Sequence, residues 1–294
     1  MLVHHTDYFC DIGAHVFPTR KFGLVRDRLL EEDPSLVIAT PEALPKEAAA
    51  LVHTSEYLRD LDGDEHTERT RASELPMSRQ IVNAYYLATA GTCLAAKIAL
   101  EQGGGINLSG GFHHAYADRA EGFCYLNDVA IAARQLQKDD GVGKVAIVDC
   151  DVHQGNGTAR IFEGDSSVFT FSMHQRDNYP MIKEKSDLDI ELRNGVGDDE
   201  YCETLSGALE RISAEFEADF VFYLAGVDPY ERDQLGGLGL SIDGMRRRDR
   251  LVLEWCRASK TPVAVVLAGG YAVNTDDTVQ MHCNTYRELE SVIG

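Results

Sequence analysis

Short aliphatic runs that end in polar or glycine-rich residues recur along the chain and predict buried strands. The clearest run spans residues 145–148 and is followed at once by Asp149 and Asp151. A strand in a parallel sheet reads as continuously apolar because helices cover both of its faces. Three further segments have the same layout, at residues 105–114, 220–228 and 262–271.

Helix-forming stretches lie between these runs. Residues 81–101 contain few helix breakers, 126–138 are amphipathic, 200–216 start with acidic residues, and 243–258 begin near the candidate caps Ser241 and Asp243. This alternation predicts an α/β fold, with one domain over residues 1–294 and a mostly parallel central sheet that has helices on both faces. The charged, turn-prone residues 62–74 predict an exposed loop at the rim of a site.

The ends of the predicted strands carry residues with catalytic chemistry. Open α/β sheets build ligand sites at the carboxyl ends of their strands, so these side chains are expected to converge. Two carboxylates and an imidazole with an open fourth position are typical of a catalytic zinc, and a histidine pair and a tyrosine supply acid, base and electrophile. Each motif alone is equally typical of a packed turn or a surface pair. The converging residues are Asp151, His153, Asp228, His113, His114 and Tyr271.

Five motifs, in order along the chain, resemble those of the histone deacetylase family, within the arginase/deacetylase superfamily. The resemblance covers nearly the whole sequence and is strongest to class IV histone deacetylases and their bacterial relatives. It implies the arginase/deacetylase fold and zinc-dependent hydrolysis of an acyl-lysine amide, as a deacetylase or a long-chain fatty deacylase. The motifs are residues 109–114 (SGGFHH), 122–128 (GFCYLND), 149–157 (DCDVHQGNG), 226–228 (GVD) and 269–271 (GGY).

The resemblance also implies a role for each residue of the site. It implies that Asp151, His153 and Asp228 bind Zn²⁺. His114 is then the main general base and acid, His113 tunes the site electrostatically, and Tyr271 stabilises the oxyanion. In class I enzymes an aspartate backs each histidine of the pair, whereas here Asp149 is expected to back His113 and Asn156 to back His114. An amide stabilises an imidazolium less than a carboxylate does, so we predict a less basic His114.

Further positions match the substrate channel and a cation site of the family. Phe123, which follows Gly122, and Tyr179 match the two rings that enclose the acyl-lysine stem, and Leu235 matches the gatekeeper position. Arg20 or Lys21 is expected to line an internal channel. A structural K⁺ is expected at Ser172 and Met173, which end the predicted strand 168–171, together with main-chain oxygens of Asp149, Asp151 and His153, although a plain strand end fits that pattern nearly as well.

Composition restricts the partners and the compartment. The chain has 48 acidic and 28 basic residues, a net charge of −20, which opposes binding to nucleic acid or an anionic membrane. It contains no membrane-spanning apolar stretch, and its seven cysteines form no paired framework. We therefore expect a cytoplasmic enzyme whose partner is an acylated lysine of a protein or peptide, or an acylated small amine. The oligomeric state is not readable from the sequence.

Three alternatives remain open from the sequence. An arginase-like site needs additional carboxylates for a second metal, but the chain has Gln154 and Asn156 beside His153. An acetylpolyamine amidohydrolase fits the acidic charge, but such relatives carry a glutamate where this chain has Leu235. A catalytically silent acyl-lysine binding module is expected to lack a metal ligand or Tyr271, and all of these residues are present.

Overall fold

The computed structural model describes all 294 residues and contains one eight-stranded sheet and ten α-helices. A short 3₁₀ turn, Thr6–Tyr8, follows the first strand. The strands are β1 (Leu2–Val3), β2 (Ile38–Ala39), β3 (Gly104–Asn107), β4 (Val145–Asp149), β5 (Val168–Gln175), β6 (Leu188–Leu192), β7 (Phe220–Leu224) and β8 (Val263–Val266). The helices are α1 (Lys21–Glu32), α2 (Lys46–Ala49), α3 (Ser55–Asp62), α4 (Glu68–Arg71), α5 (Arg79–Gln102), α6 (Asp128–Asp139), α7 (Asn156–Ile161), α8 (Asp198–Glu215), α9 (Ile242–Ser259) and α10 (Thr275–Ile293).

All strands of the sheet are parallel, in the order β2-β1-β3-β8-β7-β4-β5-β6. Every residue of β3, β4, β5, β7 and β8 is buried, as expected for strands that are covered on both faces. The α/β class and the parallel sheet that the sequence predicted are therefore confirmed. β3, β8, β7 and β4 are consecutive in the sheet, so the polar residues that follow them emerge side by side.

The four predicted helices are present, with ends shifted by one or two residues. They correspond to α5, α6, α8 and α9. Ser241 is the N-cap of α9, because its side chain accepts the N–H of Gly244 at 3.0 Å. Asp243 lies within the first turn instead of capping it. The terminal helices α1 and α10, which pack against each other, had no counterpart among the predicted elements.

One local prediction holds in part and another is wrong. Residues 62–74 are not a simple exposed loop, because the segment contains α4 and the side chains of Thr70 and Ser73 are buried, but Glu74 is exposed and lines a cavity together with His114 and Tyr271. Ser172 and Met173 do not end a strand, because β5 continues to Gln175. The strand continues because β6 pairs with it in parallel from Phe171 onwards, which supplies partners for its backbone.

The interior is one large apolar cluster around the central strands. All seven cysteines are buried and free. None of the ten helices has the length and apolar character needed to cross a membrane.

Candidate active site

The three predicted metal ligands, Asp151, His153 and Asp228, converge at the carboxyl ends of β4 and β7. Nδ1 of His153 lies 3.1 Å from Oδ1 of Asp151 and 3.3 Å from Oδ2 of Asp228. The three side chains are buried and their ligand atoms lie within 4.8 Å of one another. Ligands at about 2 Å from a tetrahedral zinc are about 3.3 Å apart, so the observed spacing suits such an ion.

Three further observations fit a cation between these residues. Oδ2 of Asp228 is buried and accepts no hydrogen bond, although Oδ1 accepts the N–H of Val152 at 2.8 Å. Burial and the neighbouring Asp151 raise the pKa of Asp228 to about 7, which a bound cation would reverse. A Cβ at Gly269 would lie 2.0 Å from Oδ2 of Asp228, so only glycine leaves the carboxylates free there.

The histidine pair lies beside this cluster. Nδ1 of His113 is 2.6 Å from Asp149, and Nδ1 of His114 is 2.7 Å from Oδ1 of Asn156, as the sequence predicted. Burial alone would lower the pKa of His113, but the carboxylates of Asp149 and Asp151 outweigh it and raise this pKa to about 9. Burial and the neighbouring His113 and His153 lower the pKa of His114 well below its usual value. The two imidazoles therefore differ in charge at neutral pH.

Tyr271 is held over the cluster by a fixed turn. The N–H of Gly269 donates to Oδ2 of Asp151 at 2.8 Å, and the N–H of Tyr271 donates to Oδ2 of Asp233 at 2.7 Å. Gly270 has a φ of +148°, which a residue with a side chain rarely adopts. Burial and the charges of Asp151 and Asp228 raise the pKa of Tyr271 well above its usual value, so its hydroxyl keeps its proton and can donate it in a hydrogen bond.

A narrow channel leads from the surface to these groups. The rings of Tyr179 and His114 meet edge to face with centroids 5.0 Å apart, and the rings of Phe123 and Tyr271 lie 6.2 Å apart. A cavity of about 200 Å³ lies between these walls. Its lining residues, which include all four predicted channel positions, are Glu74, His114, Gly122, Phe123, His153, Asn178, Tyr179, Leu235 and Tyr271.

The inner end of the channel is tight. A cavity of only about 30 Å³ is lined by Asp151, His153 and Tyr271 together with Phe17, Phe112, Cys124 and Ala268. That volume holds roughly one or two non-hydrogen atoms. A Cβ at Gly111 would lie 2.6 Å from Cβ of Ala268, so the backbone before the histidine pair packs closely against Ala268 and leaves no gap between them. The free space at this end is therefore much smaller than the cavity of about 380 Å³ that lies on another side of Phe17 and Tyr271.

Of the two basic residues expected near an internal channel, one is buried at the site. Nζ of Lys21 donates to the carbonyl of Ala268 at 2.7 Å and lies 5.7 Å from the centre of the Tyr271 ring. Burial lowers the pKa of Lys21 to about 8, against the raising effect of Asp228 and Asp151. Arg20 is exposed instead, at the edge of a cavity next to Tyr271.

Sequence reasoning missed three polar residues that support the site. Asp233 holds the Tyr271 turn, and Tyr116 and Glu121 hydrogen-bond to Asn156. Glu74, which belongs to the predicted rim segment 62–74, lies at the channel mouth. Glu121 directly precedes Gly122 and Phe123 of the channel motif. Its acidic side chain beside that motif was the only feature of the sequence that could have indicated a role at the site.

The comparisons with known proteins agree with this geometry. The histone deacetylase domain matches residues 15–286. The chain belongs to the histone deacetylase family. It is 33% identical to histone deacetylase 2 of Arabidopsis thaliana over 87% of this chain and 70% of that protein, and 42% identical to an uncharacterised protein of a Picosynechococcus strain over 99% and 98%. The crystal structure of the HDA15 HD domain superposes with a TM-score of 0.83 at 25% identity, covering 98% of this chain and 87% of that one.

Membership of the histone deacetylase family makes the chain a deacetylase-type hydrolase that acts on acylated substrates. The arginase/deacetylase fold inferred from the motifs is confirmed by its likeness to the HDA15 HD domain. The buried Asp-His-Asp cluster is the part of this structure that fits the metal of such an enzyme.

Proposed function

We propose that the protein is a zinc-dependent lysine deacetylase that prefers short acyl groups. The observation that carries this proposal is the meeting of three elements at one channel end. Asp151 and His153 of the metal-ligand cluster, the histidine pair and Tyr271 all line the inner cavity, and Phe123 and Tyr179 wall the approach. An acyl amide that enters along this channel would present its carbonyl to all three elements.

Asp151, His153 and Asp228 would hold the zinc. When bound there, Zn²⁺ supplies Lewis acidity for the acyl carbonyl and lowers the pKa of water. Tyr271, whose turn is fixed by Gly269 and Asp233, donates its O–H to the negative charge that develops on the acyl oxygen when the acyl carbon is attacked. Burial, together with the carboxylates of Asp151 and Asp228, raises the pKa of Tyr271 and keeps that hydroxyl protonated, which is the state needed for donation.

The two histidines divide the proton chemistry. His114 is held neutral by burial and by the cationic neighbour His113, so its Nε2 can accept a proton from water and pass it to the departing amine. His113 keeps a positive charge beside Asp149 and favours the negative charge that builds up during attack. The bond between acyl carbon and amine nitrogen breaks as the amine takes up its proton.

The inner cavity supports a preference for acetyl. A cavity of about 30 Å³, lined by Asp151 and His153 together with Phe17, Phe112 and Cys124, suits a methyl group, whereas a longer acyl chain would need the apolar side chains to move. A long-chain fatty deacylase, which the class IV resemblance allowed, would therefore need a different inner wall. The motif with Asn156 in place of aspartate still supports a class IV relationship for the catalytic residues themselves.

The amine side of the substrate is best matched by lysine. The channel walls are aromatic, with Phe123 and Tyr179 placed to contact a methylene stem. Leu235 lines the channel without adding a charge for a second amine. Glu74 at the mouth and the net charge of −20 favour a cationic peptide around the acyl-lysine.

A structural K⁺ is a further part of the proposal. Ser172 pairs in register with Asp149 across β4 and β5, so this pairing brings the segments of the predicted K⁺ residues side by side. Main-chain oxygens are the hard ligands that K⁺ prefers. Thermal stability in KCl compared with tetramethylammonium chloride tests the ion, because only K⁺ would raise the melting temperature.

A substrate panel tests the proposed function. The zinc-loaded protein is given one lysine peptide carrying acetyl, octanoyl, decanoyl or myristoyl, with acetylspermidine alongside and Tyr271→Phe as the control. We expect the wild type to cleave the acetyl-lysine peptide with a higher kcat/KM than any other substrate of the panel. The Tyr271→Phe variant should be nearly inactive.

Other outcomes would replace the proposal with a specific alternative. Turnover of acetylspermidine alone would show a polyamine amidohydrolase. Faster turnover of myristoyl than acetyl would show a fatty deacylase whose inner wall opens. Binding of acyl-lysine peptide without any turnover would show a silent binding module.

A further inference from the structure

The amide of Asn156 sits between His114 and a second acidic residue, Glu121. Oδ1 of Asn156 is 2.7 Å from Nδ1 of His114, and Nδ2 donates to Oε1 of Glu121 at 2.7 Å and to the hydroxyl of Tyr116 at 3.1 Å. A carboxylate can only accept hydrogen bonds, so Asn156 must turn its NH₂ group toward Glu121. Its oxygen then necessarily faces His114.

This orientation fixes the tautomer of His114. An amide oxygen only accepts, so Nδ1 of His114 must carry the hydrogen. Nε2 is left with its lone pair, 3.1 Å from Nε2 of His113 on the side of the metal-ligand residues. Nε2 is the atom that the proposed reaction needs as proton acceptor.

Glu121 is itself held in place. Its side chain is 20% exposed, and Nε of Arg119 lies 3.5 Å from Oε2. The hydroxyl of the channel residue Tyr179 donates to Oε1 at 3.2 Å, and the N–H of Glu121 donates to the carbonyl of Cys124 at 3.1 Å. The carboxylate therefore has a defined position next to the Asn156 amide.

We propose that Glu121 is a positioning residue for His114, which acts through the amide of Asn156 and replaces a carboxylate in direct contact with the imidazole. It selects the amide orientation, and thereby the tautomer in which Nε2 of His114 carries a lone pair and no hydrogen. This inference rests on the proposed hydrolysis for its catalytic consequence, but the hydrogen-bond geometry stands without it.

A double-mutant cycle tests this coupling. With Asn156 in place, Glu121→Gln removes the group that can only accept, so both amides can flip, and we expect kcat to fall about ten-fold with KM within about two-fold. In the Asn156→Asp variant, the carboxylates at positions 121 and 156 face each other and repel. Adding Glu121→Gln to this variant supplies an amide that can donate to the carboxylate at position 156. In the Asn156→Asp background, Glu121→Gln should therefore raise kcat. Asp118→Asn, which removes an equal charge from the exposed neighbour on this loop, should leave kcat unchanged in both backgrounds.

A spectroscopic readout separates this inference from the proposed function. NMR spectra of ¹⁵N-labelled, zinc-loaded protein report the tautomer of each histidine ring, and the His114 resonances are identified by their loss in His114→Phe. We expect the Nδ1–H tautomer of His114 in the wild type. Glu121→Ala should give a mixture of the two tautomers. If the wild type shows no deacylation, the proposed function fails, but the tautomer still decides the role of Glu121. An unchanged tautomer in Glu121→Ala, or an effect of Glu121→Gln with the same sign in both backgrounds, overturns the inference.

Discussion

The backbone N–H of Gly269 donates to Oδ2 of Asp151 at 2.8 Å, so the turn that carries Tyr271 is tied directly to a metal-ligand carboxylate. A Cβ at position 269 would come within 2.6 Å of the same oxygen, which explains why the turn begins with glycine. Through this contact, the backbone of the turn that carries the proposed oxyanion donor is held next to the metal cluster.

Tyr271→Phe removes the hydroxyl and leaves this turn intact. We expect kcat on an acetyl-lysine peptide to fall roughly 10²–10³-fold, the usual effect of losing one oxyanion donor, with KM and zinc content nearly unchanged. Steady-state kinetics and metal analysis check this. Tyr286→Phe, on the distant helix α10, is the matched control and should retain full activity. Equal activity of the two variants would exclude Tyr271 as the donor.

Asp228→Asn should have opposite effects on stability with and without metal. In the metal-free protein the pKa of Asp228 is raised from 3.8 to about 7 by burial and by Asp151, so the unfolded state loses this proton first as the pH rises. The carboxyl therefore destabilises the fold increasingly from pH 4 to pH 7, and the variant should melt higher than the wild type at pH 7.

Zinc should reverse that order, because only the wild type has the Asp228 carboxylate to bind the ion. Melting curves at pH 7 with chelator and with zinc check both halves of the prediction. A variant that is less stable than the wild type under both conditions would mean that Asp228 is simply a structural residue.

The sequence predicted that the candidate catalytic groups lie together, because they follow buried strands within a few residues. Asp151, His153, Asp228 and Tyr271 are all placed by strands whose aliphatic character is unmistakable, and parallel strands bring their ends to one edge. The same logic failed at Ser172 and Met173, because β5 is extended by its pairing with β6, and a long-range pairing partner is not visible in a local pattern.

The residues that support the site were harder to find for a similar reason. Glu121 and Asp233 act through hydrogen bonds across gaps of 35 and 38 residues, and nothing in their local sequence marks those partners. Lys21 is a lysine in the first turn of an amphipathic helix, where sequence alone favours exposure, yet it is buried against Ala268. Tertiary contacts, not local patterns, define these roles.

Phe112→Leu should broaden the acyl-chain range. Phe112 borders the inner cavity and packs on Tyr85 with ring centroids 4.5 Å apart, so a smaller side chain adds room where an acyl chain would extend. We expect the ratio of kcat/KM for octanoyl to that for acetyl to rise about ten-fold or more. Phe169→Leu, a similarly buried ring on β5, controls for lost stability and should leave the ratio unchanged. A ratio that also stays constant in Phe112→Leu would place the acyl chain elsewhere.

Acid should destabilise the protein partly through His53. This imidazole is fully buried, and its Nε2 accepts the N–H of Asn127 at 3.1 Å, a contact that requires the neutral ring. Burial lowers its pKa from 6.5 to about 4, so between these values the unfolded state binds a proton that the folded state does not. The stability that this group contributes is complete above pH 6.5 and is lost as the pH falls toward 4, by on the order of 3 kcal/mol in total.

Urea denaturation at pH 7.0 and 4.5 measures how much unfolding free energy is lost in acid. The loss should be smaller in His53→Gln, whose amide oxygen can still accept from Asn127. It should be the same as in the wild type in His66→Gln, a substitution at the surface. If His53→Gln loses as much stability as the wild type, the imidazole is protonated in the folded protein and Asn127 donates elsewhere.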